Sequence, residues 1–172
     1  KGGFDLIAQG MTGLMSITGE SKDRPPMKVG APLTDITAGI LGATGVLAAL
    51  VAREKTGVGQ RVDTSLYEAG IVHTYWQSAI ASATGISPGP LGSAHPLTAP
   101  YQAFKTKDKW ITVGASNQNN WLNLLDALGR KDLQENEKFN SNANRMANLP
   151  ELQEILKEKL AKKTADEWIK LF

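Results

Sequence analysis

Asp35 is the carboxylate of this chain whose surroundings best suit covalent chemistry. It lies in Val29-Gly-Ala-Pro-Leu-Thr-Asp35-Ile-Thr-Ala-Gly39, where a helix rich in glycine and alanine is predicted to begin. An ionised carboxylate among small residues can attack a thioester carbonyl, which divides one acyl transfer into two easier steps. An aspartate in the first turn of a helix is equally typical of a cap, because the helix start stabilises its charge. From the residues alone, the cap is the favoured interpretation.

Two histidines are further candidates for catalysis or binding. His73 lies in an apolar helical run beside Tyr75 and Trp76, where a lone histidine is more typical of packing than of a ligand site. His95 lies in the loop Leu91-Gly-Ser-Ala-His95-Pro, and a flexible loop of this kind can close over a substrate. Residue types alone still favour a structural role for it slightly. With no close histidine pair and no cysteine, the sequence predicts no metal site and excludes thiolate catalysis.

Composition and charge narrow the classes of function. The chain has 172 residues, 41% of them hydrophobic, which is enough for a sizeable core in one domain or one domain with part of another. Its net charge of +2 does not favour nucleic acid as a partner. Neither a phosphate-cradling glycine loop nor a nucleophile elbow is present. Gly57-Val-Gly59 follows a predicted helix and precedes a predicted strand, the reverse of the order that dinucleotide binding requires.

The elements that must position these residues form a helix-rich α/β pattern. Apolar spacing predicts a short helix within residues 4–15, a polar loop over 19–26 and a long buried helix over 33–54. Thr34 or Asp35 is its predicted N-cap, and residues 56–59 its end. Alternating β-branched residues predict a short strand over 60–66, followed by a helix over 67–83. The glycines at 39, 42 and 45 predict that another backbone or a ligand approaches one face of the long helix.

The long helix is also the candidate for a membrane span. Residues 36–52 carry no charge, but 17 residues with two threonines and three glycines lie at the lower limit for crossing a bilayer. We therefore expect a core helix and no membrane. The opening residues show no signal-peptide pattern. A start at Lys1 and an end within an apolar helical pattern indicate a piece of a longer chain.

A boundary is expected between residues 85 and 100, which hold four of the eight prolines and three glycines. The sequence predicts part of a large domain over 1–85, a linker over 86–100 and a small α+β domain over 101–172. Strands over 101–104 and 110–114 form a hairpin with a charged tip. Helices are predicted over 117–128, 141–147, 150–162 and 164–172, the last with a capping box at its start.

Several ordered segments resemble the class III CoA-transferases of the CaiB/BaiF type, which include formyl-CoA and carnitine CoA-transferases. They are Phe4-Asp-Leu-Ile-Ala-Gln-Gly-Met-Thr-Gly, Pro-Met-Lys-Val-Gly-Ala-Pro-Leu-Thr-Asp35-Ile-Thr-Ala-Gly-Ile, Arg53-Glu-Lys-Thr-Gly-Val-Gly-Gln-Arg-Val-Asp-Thr-Ser-Leu-Tyr-Glu-Ala69 and His95-Pro-Leu-Thr-Ala-Pro-Tyr-Gln-Ala-Phe104. The resemblance covers nearly the whole chain. It implies a helix-rich part of the family III α/β fold: part of the large Rossmann-like domain with a small α+β domain. It also implies an interlocked homodimer.

The same resemblance implies an activity and a set of site residues. Asp35 becomes the catalytic nucleophile, forming an acyl anhydride and then an aspartyl-CoA thioester while CoA moves from an acyl-CoA to a carboxylic or dicarboxylic acid. The CoA thioester is then a substrate, and no tightly bound cofactor is expected. Gly92, Ser93 and His95 fall where the family's glycine-rich loop is expected, and are the predicted substrate and CoA contacts. The implied location is the cytoplasm, or the matrix of an organelle.

Two alternatives belong to other functional classes. Related 2-methylacyl-CoA racemases share the fold and the aspartate, but pair it with a histidine in a Gly-His-Asp segment. The corresponding segment here is Gly3-Phe4-Asp5, and phenylalanine cannot transfer a proton. That difference favours a transferase. The second alternative is a non-catalytic module that binds CoA or another protein.

Overall fold

The computed structural model describes residues 2–172, which form two compact units. The first unit ends at Gly92 and the second begins at Ser93. This division falls within the loop rich in proline and glycine.

Five helices make up the described part of the first unit, with loops between them. They are α1 (Asp5–Met11), α2 (Leu14–Ile17), α3 (Leu33–Thr56), α4 (Leu66–His73) and α5 (Tyr75–Thr84). The prediction of a long helix from residue 33 is confirmed. It ends at Gly57, whose φ of 72° is readily adopted only by glycine. The predicted helix over 67–83 is interrupted at Thr74, where α4 ends and α5 begins.

The predicted strand over residues 60–66 is wrong. The segment is irregular up to Ser65, which caps α4 by accepting a hydrogen bond from the Glu68 N–H. Alternating β-branched residues favour an extended backbone, but a strand needs a partner, and none of residues 2–172 pairs with this one. The segment lies instead against α3. Thr64 and Val62 approach Gly42 and Gly45 of that helix.

The expectation that α3 is a buried core helix is also wrong for residues 2–172. Of its 24 residues only Thr34 is buried. Its apolar surface includes large exposed side chains such as Ile40 and Leu47. By length and composition alone, α3 would be able to cross a membrane, with a mean hydropathy of 1.8 over its most apolar window. The side chains needed to cover this helix are not among the described residues.

The second unit packs helices against a small antiparallel sheet. Strands β1 (Tyr101–Lys105) and β2 (Trp110–Gly114) pair with Phe104 opposite Ile111, which confirms the predicted hairpin. The helices are α6 (Gln118–Leu128), α7 (Asn142–Ala147), α8 (Leu149–Leu160) and α9 (Ala165–Ile169), with a 3₁₀ turn at Lys131–Leu133. The predicted capping box of α9 is present between Thr164 and Glu167.

The core of the second unit follows from helical periodicity. The apolar face of α6 is buried, and α8 contributes residues at a spacing of four. These core residues are Trp121, Leu124, Leu125, Leu128, Leu152, Leu156 and Leu160. Phe104 of β1 completes the cluster from the sheet side. The second unit therefore has a well-formed apolar core, whereas α3 of the first unit is largely exposed.

Candidate active site at the start of α3

Asp35 is the third residue of α3 and is exposed to solvent. Its carboxylate makes no hydrogen bond and no ion pair with any residue from 2 to 172. The prediction that Thr34 or Asp35 caps the helix is wrong: Pro32 occupies the cap position and offers no side-chain acceptor. Asp35 is thus a first-turn carboxylate that the described chain leaves without a partner.

The carboxylate that caps α3 comes from Asp5 of α1. Asp5 Oδ1 accepts hydrogen bonds from the Thr34 backbone N–H at 3.0 Å and from the Thr34 hydroxyl at 2.8 Å. A carboxylate at a helix start satisfies N–H groups that have no partner within the helix. Thr34 is fully buried beneath this contact. The residue next to Asp35 is therefore fixed by an acidic side chain 29 positions earlier in the sequence.

Gln9 extends the contact from α1 to the loop before α3. Its Nε2 donates to Asp5 Oδ2 at 2.8 Å, and its Oε1 accepts from the Val29 N–H at 2.9 Å. Asp5 and Gln9 are four residues apart, so they lie on the same face of α1. Gln9 is fully buried, and both ends of its amide are used. The loop at Val29 and the start of α3 are therefore held by two side chains of α1, which we call the Asp5–Gln9 pair.

Burial and hydrogen bonding act in opposite directions on the pKa of Asp5. Burial acts to raise its pKa, but the Thr34 hydroxyl, the Thr34 N–H and Gln9 all donate to the carboxylate, and the charge of Lys28 adds to their effect. The net result is a pKa of Asp5 below its ordinary value. Asp5 is consequently an anion at neutral pH, which is the form that caps a helix.

Beyond Asp35, α3 is open at Gly39 and tightly packed at Gly45. Gly39 lies one turn after Asp35, and a side chain added there would meet no atom of residues 2–172 within 4 Å. Farther along, a Cβ at Gly45 would lie 2.6 Å from Val62 Cγ1. A close approach is present at Gly45, but it is made by the Val62 side chain and not by the backbone or ligand that was predicted. Among residues 2–172, the space at Gly39 is open.

Thr37 links α3 to α4 two residues after Asp35. Its hydroxyl lies 2.6 Å from Nε2 of His73. His73 therefore has a hydrogen-bond partner on the neighbouring helix, but its side chain is exposed and not packed as expected within residues 2–172. Among residues 2–172, no three histidine, aspartate or glutamate side chains cluster so as to hold a metal ion.

Gly92, the first of the predicted loop residues, belongs to the same unit as Asp35. Its N–H donates to the Gly19 carbonyl at 2.8 Å, and its φ of 60° is in the region that favours glycine. Close by, Gly89 lies against the side chain of Lys22. These contacts attach the 89–92 segment to the loop after α2. A role for Gly92 in binding CoA stays a prediction.

Ser93 and His95 belong to the second unit, where both make local contacts. Ser93 Oγ accepts a hydrogen bond from the Ala103 N–H at 3.0 Å. The His95 backbone N–H donates to the Tyr101 carbonyl, its Nδ1 accepts from the Leu97 N–H, and its ring meets the Tyr101 ring edge-on. Both residues thus help to order the chain before and along β1. Their predicted contacts to substrate are not tested by this geometry.

The sequence matches CoA-transferase family III over residues 1–172. The chain belongs to this family. Among curated relatives, the acetyl-CoA:oxalate CoA-transferase of Acetobacter aceti is 34% identical, and the match covers 96% of this chain and 43% of the relative. The human succinyl-CoA:glutarate CoA-transferase is 32% identical, with 100% and 39% covered. This family III chain therefore spans about two fifths of the length of the curated relatives it matches.

A solved family member has the same fold. A CaiB/BaiF family protein from Brucella suis superposes with a TM-score of 0.78 at 33% identity, over 99% of this chain and 45% of that one. The likeness confirms the prediction of a helix-rich part of an α/β fold in the CoA-transferase family.

The sequence alone does not point to Asp5 and Gln9, and it indicates Thr34 only as a possible cap of α3. The signal was partly visible, because Asp5 stands in the Gly3-Phe4-Asp5 segment whose phenylalanine distinguished a transferase from a racemase. Asp5 and Gln9 have the spacing of one helical turn, which places them on a common face. Nothing in the spacing shows that this face meets residues 29–34.

Proposed function

We propose that this chain carries the nucleophile of an enzyme that transfers CoA from an acyl-CoA donor to a carboxylic acid, with dicarboxylic acids as the preferred acceptors. One observation carries the proposal: in a chain that matches the family from end to end, Asp35 is exposed at the start of α3 and has no partner among residues 2–172. The acceptors named for the two relatives are oxalate and glutarate. Both are dicarboxylates, which supports that choice of acceptor class.

The surroundings of Asp35 suit attack on a thioester. A carboxylate without hydrogen-bond donors keeps its lone pairs available to an electrophile. The open surface at Gly39 gives an acyl group room to approach within one helical turn of the nucleophile. The Asp35 N–H has no acceptor among residues 2–172, so it is available to stabilise an oxyanion.

The proposed reaction consists of four acyl substitutions that balance without a cofactor. The Asp35 carboxylate attacks the donor carbonyl, forming a C–O bond and breaking the C–S bond, which releases CoA thiolate and leaves a mixed anhydride. The thiolate attacks the Asp35 carbonyl, giving an aspartyl-CoA thioester and the free donor acid. The acceptor carboxylate then attacks this thioester, releasing the thiolate again. Attack of the thiolate on the acceptor carbonyl yields the new acyl-CoA and restores Asp35.

Proton transfer at the substrate's α-carbon is less well supported. A racemase needs a second acid or base opposite Asp35. Phe4 stands where related racemases have histidine, and its side chain is apolar and exposed. Absence of solvent deuterium at the α-carbon of recovered acyl-CoA would agree with the transferase, and rapid incorporation would favour the racemase.

Trapping the covalent intermediate tests the proposal. The protein at its natural length is incubated with an acyl-CoA donor, quenched with hydroxylamine and digested for mass spectrometry. We expect a hydroxamate at Asp35 and at no other carboxylate. An unmodified Asp35 in a sample that shows turnover would contradict the covalent role.

Asp63 is a suitable control for this experiment. It is also an exposed carboxylate of the first unit, with 71% of its side chain accessible, but it is paired with Arg61. We expect Asp63→Ala to retain both turnover and the hydroxamate, and Asp35→Ala to lose both. Equal loss in the two variants would indicate a general effect of removing a carboxylate.

A further inference from the structure

The start of α3 has more donors than its own residues satisfy. Pro32 provides no side-chain cap, and the first turn of a helix presents N–H groups that need acceptors. Such N–H groups are commonly satisfied by the side chain of an N-cap residue, and a negative charge in the first turn is favoured by the helix dipole. Asp35 is the acidic residue of that turn, yet its carboxylate is unpartnered among residues 2–172. The acceptor comes instead from Asp5.

We propose that the Asp5–Gln9 pair positions Asp35: by capping α3 from α1, it fixes the helix start and leaves the Asp35 carboxylate free to act as a nucleophile. This inference rests on the proposed function of Asp35. Asp5 and Gln9 are positioning residues, because they act through Thr34 and through the loop at Val29. Neither is required to touch the substrate.

The C-terminal end of α1, where Thr12 is the cap residue, is held against α4. Thr12 is buried and donates through its hydroxyl to the Ala8 carbonyl at 2.7 Å. A Cβ at Gly70 of α4 would lie 2.7 Å from both Cγ2 and Oγ1 of Thr12. The helices α1 and α4 therefore meet at a glycine, which fixes α1 independently of the loop that it clamps.

The two oxygens of Asp5 have separate functions in this arrangement. Oδ1 accepts both bonds from Thr34, and Oδ2 accepts the bond from Gln9. Asn in place of Asp5 keeps an oxygen for Thr34 but turns an NH₂ group toward the Gln9 amide. Ala removes both acceptors. The two substitutions therefore separate the cap on α3 from the link to Gln9.

When the external cap is lost, the nearest replacement is Asp35 itself. Its carboxylate can turn toward the exposed N–H groups of the first turn, where the helix dipole favours a negative charge. A nucleophile held in this way is displaced from the attacking geometry, and small displacements of reacting groups can cost roughly a hundredfold in rate. The effect falls on kcat more than on KM, because the substrate-binding surface is unchanged.

Asp108 provides a matched control in the second unit. Its Oδ1 accepts from the Ala165 N–H at 2.8 Å, so it caps the start of α9 from a distance of 57 positions in the sequence. It also accepts from Thr106. Removing it deletes a carboxylate cap of the same kind without touching α1 or α3.

The experiment compares Asp5→Ala, Asp5→Asn, Asp108→Ala and Asp35→Ala in the protein at its natural length. Turnover is normalised to the folded fraction, and amide hydrogen exchange is followed in the peptide at the start of α3. We expect kcat to fall roughly ten- to a hundredfold in Asp5→Ala, with the donor KM changed less than about threefold. We expect Asp5→Asn to recover most of the loss. Exchange at residues 33–36 accelerates in Asp5→Ala only, and Asp108→Ala keeps kcat despite a lower thermal midpoint.

The outcomes distinguish the positioning role of Asp5 from the proposed nucleophilic role of Asp35. An inactive Asp35→Ala beside a wild-type kcat in Asp5→Ala would overturn the positioning role and leave the proposed function intact. Full activity in Asp35→Ala would overturn the proposed function and the positioning role with it. A deficit in Asp5→Ala that disappears after normalisation to folded protein would show that Asp5 only stabilises the fold.

Discussion

Asp5 Oδ1 accepts hydrogen bonds from both the backbone N–H and the hydroxyl of Thr34, the residue immediately before Asp35. This contact determines two properties of Asp35. Its carboxylate is not needed as a cap, and the backbone that carries it is fixed from another helix. A first-turn aspartate that would ordinarily be a structural feature is thereby left available for chemistry.

The Thr34 hydroxyl is expected to contribute measurably to stability. Thr34→Val keeps the shape of the buried side chain and the N–H bond to Asp5, but it removes the hydroxyl donor. Hydrogen bonds to a charged group contribute roughly 1.5–3 kcal/mol, so we expect unfolding to become easier by up to about that amount. Denaturant titration of wild type and Thr34→Val measures the difference. Equal midpoints and slopes would show that the hydroxyl is dispensable.

The contribution of Asp5 should depend on pH. Because its pKa is lower in the folded than in the unfolded chain, its stabilising effect is complete above the unfolded value of about 3.9 and is lost as pH falls through the folded pKa. The gap in thermal midpoint between wild type and Asp5→Asn should therefore be constant from neutral pH down to about 5 and shrink in more acidic buffer. A gap that grows on acidification would contradict the assigned direction. Using the difference between the proteins removes the effect of other carboxylates.

Two glycines of α3 should respond oppositely to alanine. At Gly39 a methyl group meets no described atom, so Gly39→Ala should stabilise the helix by up to about 1 kcal/mol. At Gly45 the methyl group would overlap Val62, and Gly45→Ala should destabilise the protein by roughly 1–3 kcal/mol. Adding Val62→Ala should recover part of the second loss. Two equal effects in denaturant titration would contradict the packing described for this face.

Bulk at Gly39 should impair the reaction more than the fold. A leucine there would fill the open surface one turn from Asp35, so we expect Gly39→Leu to lower kcat/KM for acyl-CoA by at least about tenfold. Ala48→Leu is the control, since it adds bulk to an exposed position of the same helix that lies about 20 Å from Asp35 along the helix axis. Steady-state kinetics with one donor and one acceptor compare the two. Equal losses would place the acyl group elsewhere.

Arg145 should be essential to the second unit. Its buried guanidinium donates to the Ala99 and Phe139 carbonyls and to Gln118, and lies 4.9 Å from the centre of the Trp121 ring. Burial lowers its pKa. Lysine cannot reproduce this branched set of bonds, so Arg145→Lys should cost roughly 2–4 kcal/mol. Denaturation followed by tryptophan fluorescence measures the cost, and a loss below about 0.5 kcal/mol would contradict it.

Local patterns in the sequence were sufficient for several elements of this fold. The apolar face of α6 with Trp121, the hairpin of β1 and β2, and the end of α3 at Gly57 all depend on neighbours within a few positions. The β-branched residues around Val62 favoured an extended chain but could not reveal whether a strand partner exists. Whether the apolar face of α3 is buried or exposed also depends on surfaces that its own sequence does not specify.

The nucleophile of the candidate site can be predicted from the sequence, but the residue that fixes the helix start beside it cannot. Asp35 was identified by its small neighbours and by resemblance to a family. The cap on α3 was assigned to Thr34 or Asp35 because capping is usually local. The actual cap, Asp5, reaches α3 through tertiary packing of α1, and no spacing within one sequence encodes which helix face meets which loop.

Transfer of oxygen-18 from the acceptor acid into Asp35 distinguishes a nucleophilic Asp35 from a carboxylate that takes no part in the reaction. In the proposed route, the acceptor carboxylate forms an anhydride with Asp35, and thiolate attack on the acceptor carbonyl leaves one acceptor oxygen on the enzyme. A single turnover with acceptor labelled in both carboxylate oxygens, followed by digestion and mass spectrometry, should therefore show one heavy oxygen in the peptide that contains Asp35. Complete product formation with no label in that peptide would show that Asp35 is not the nucleophile.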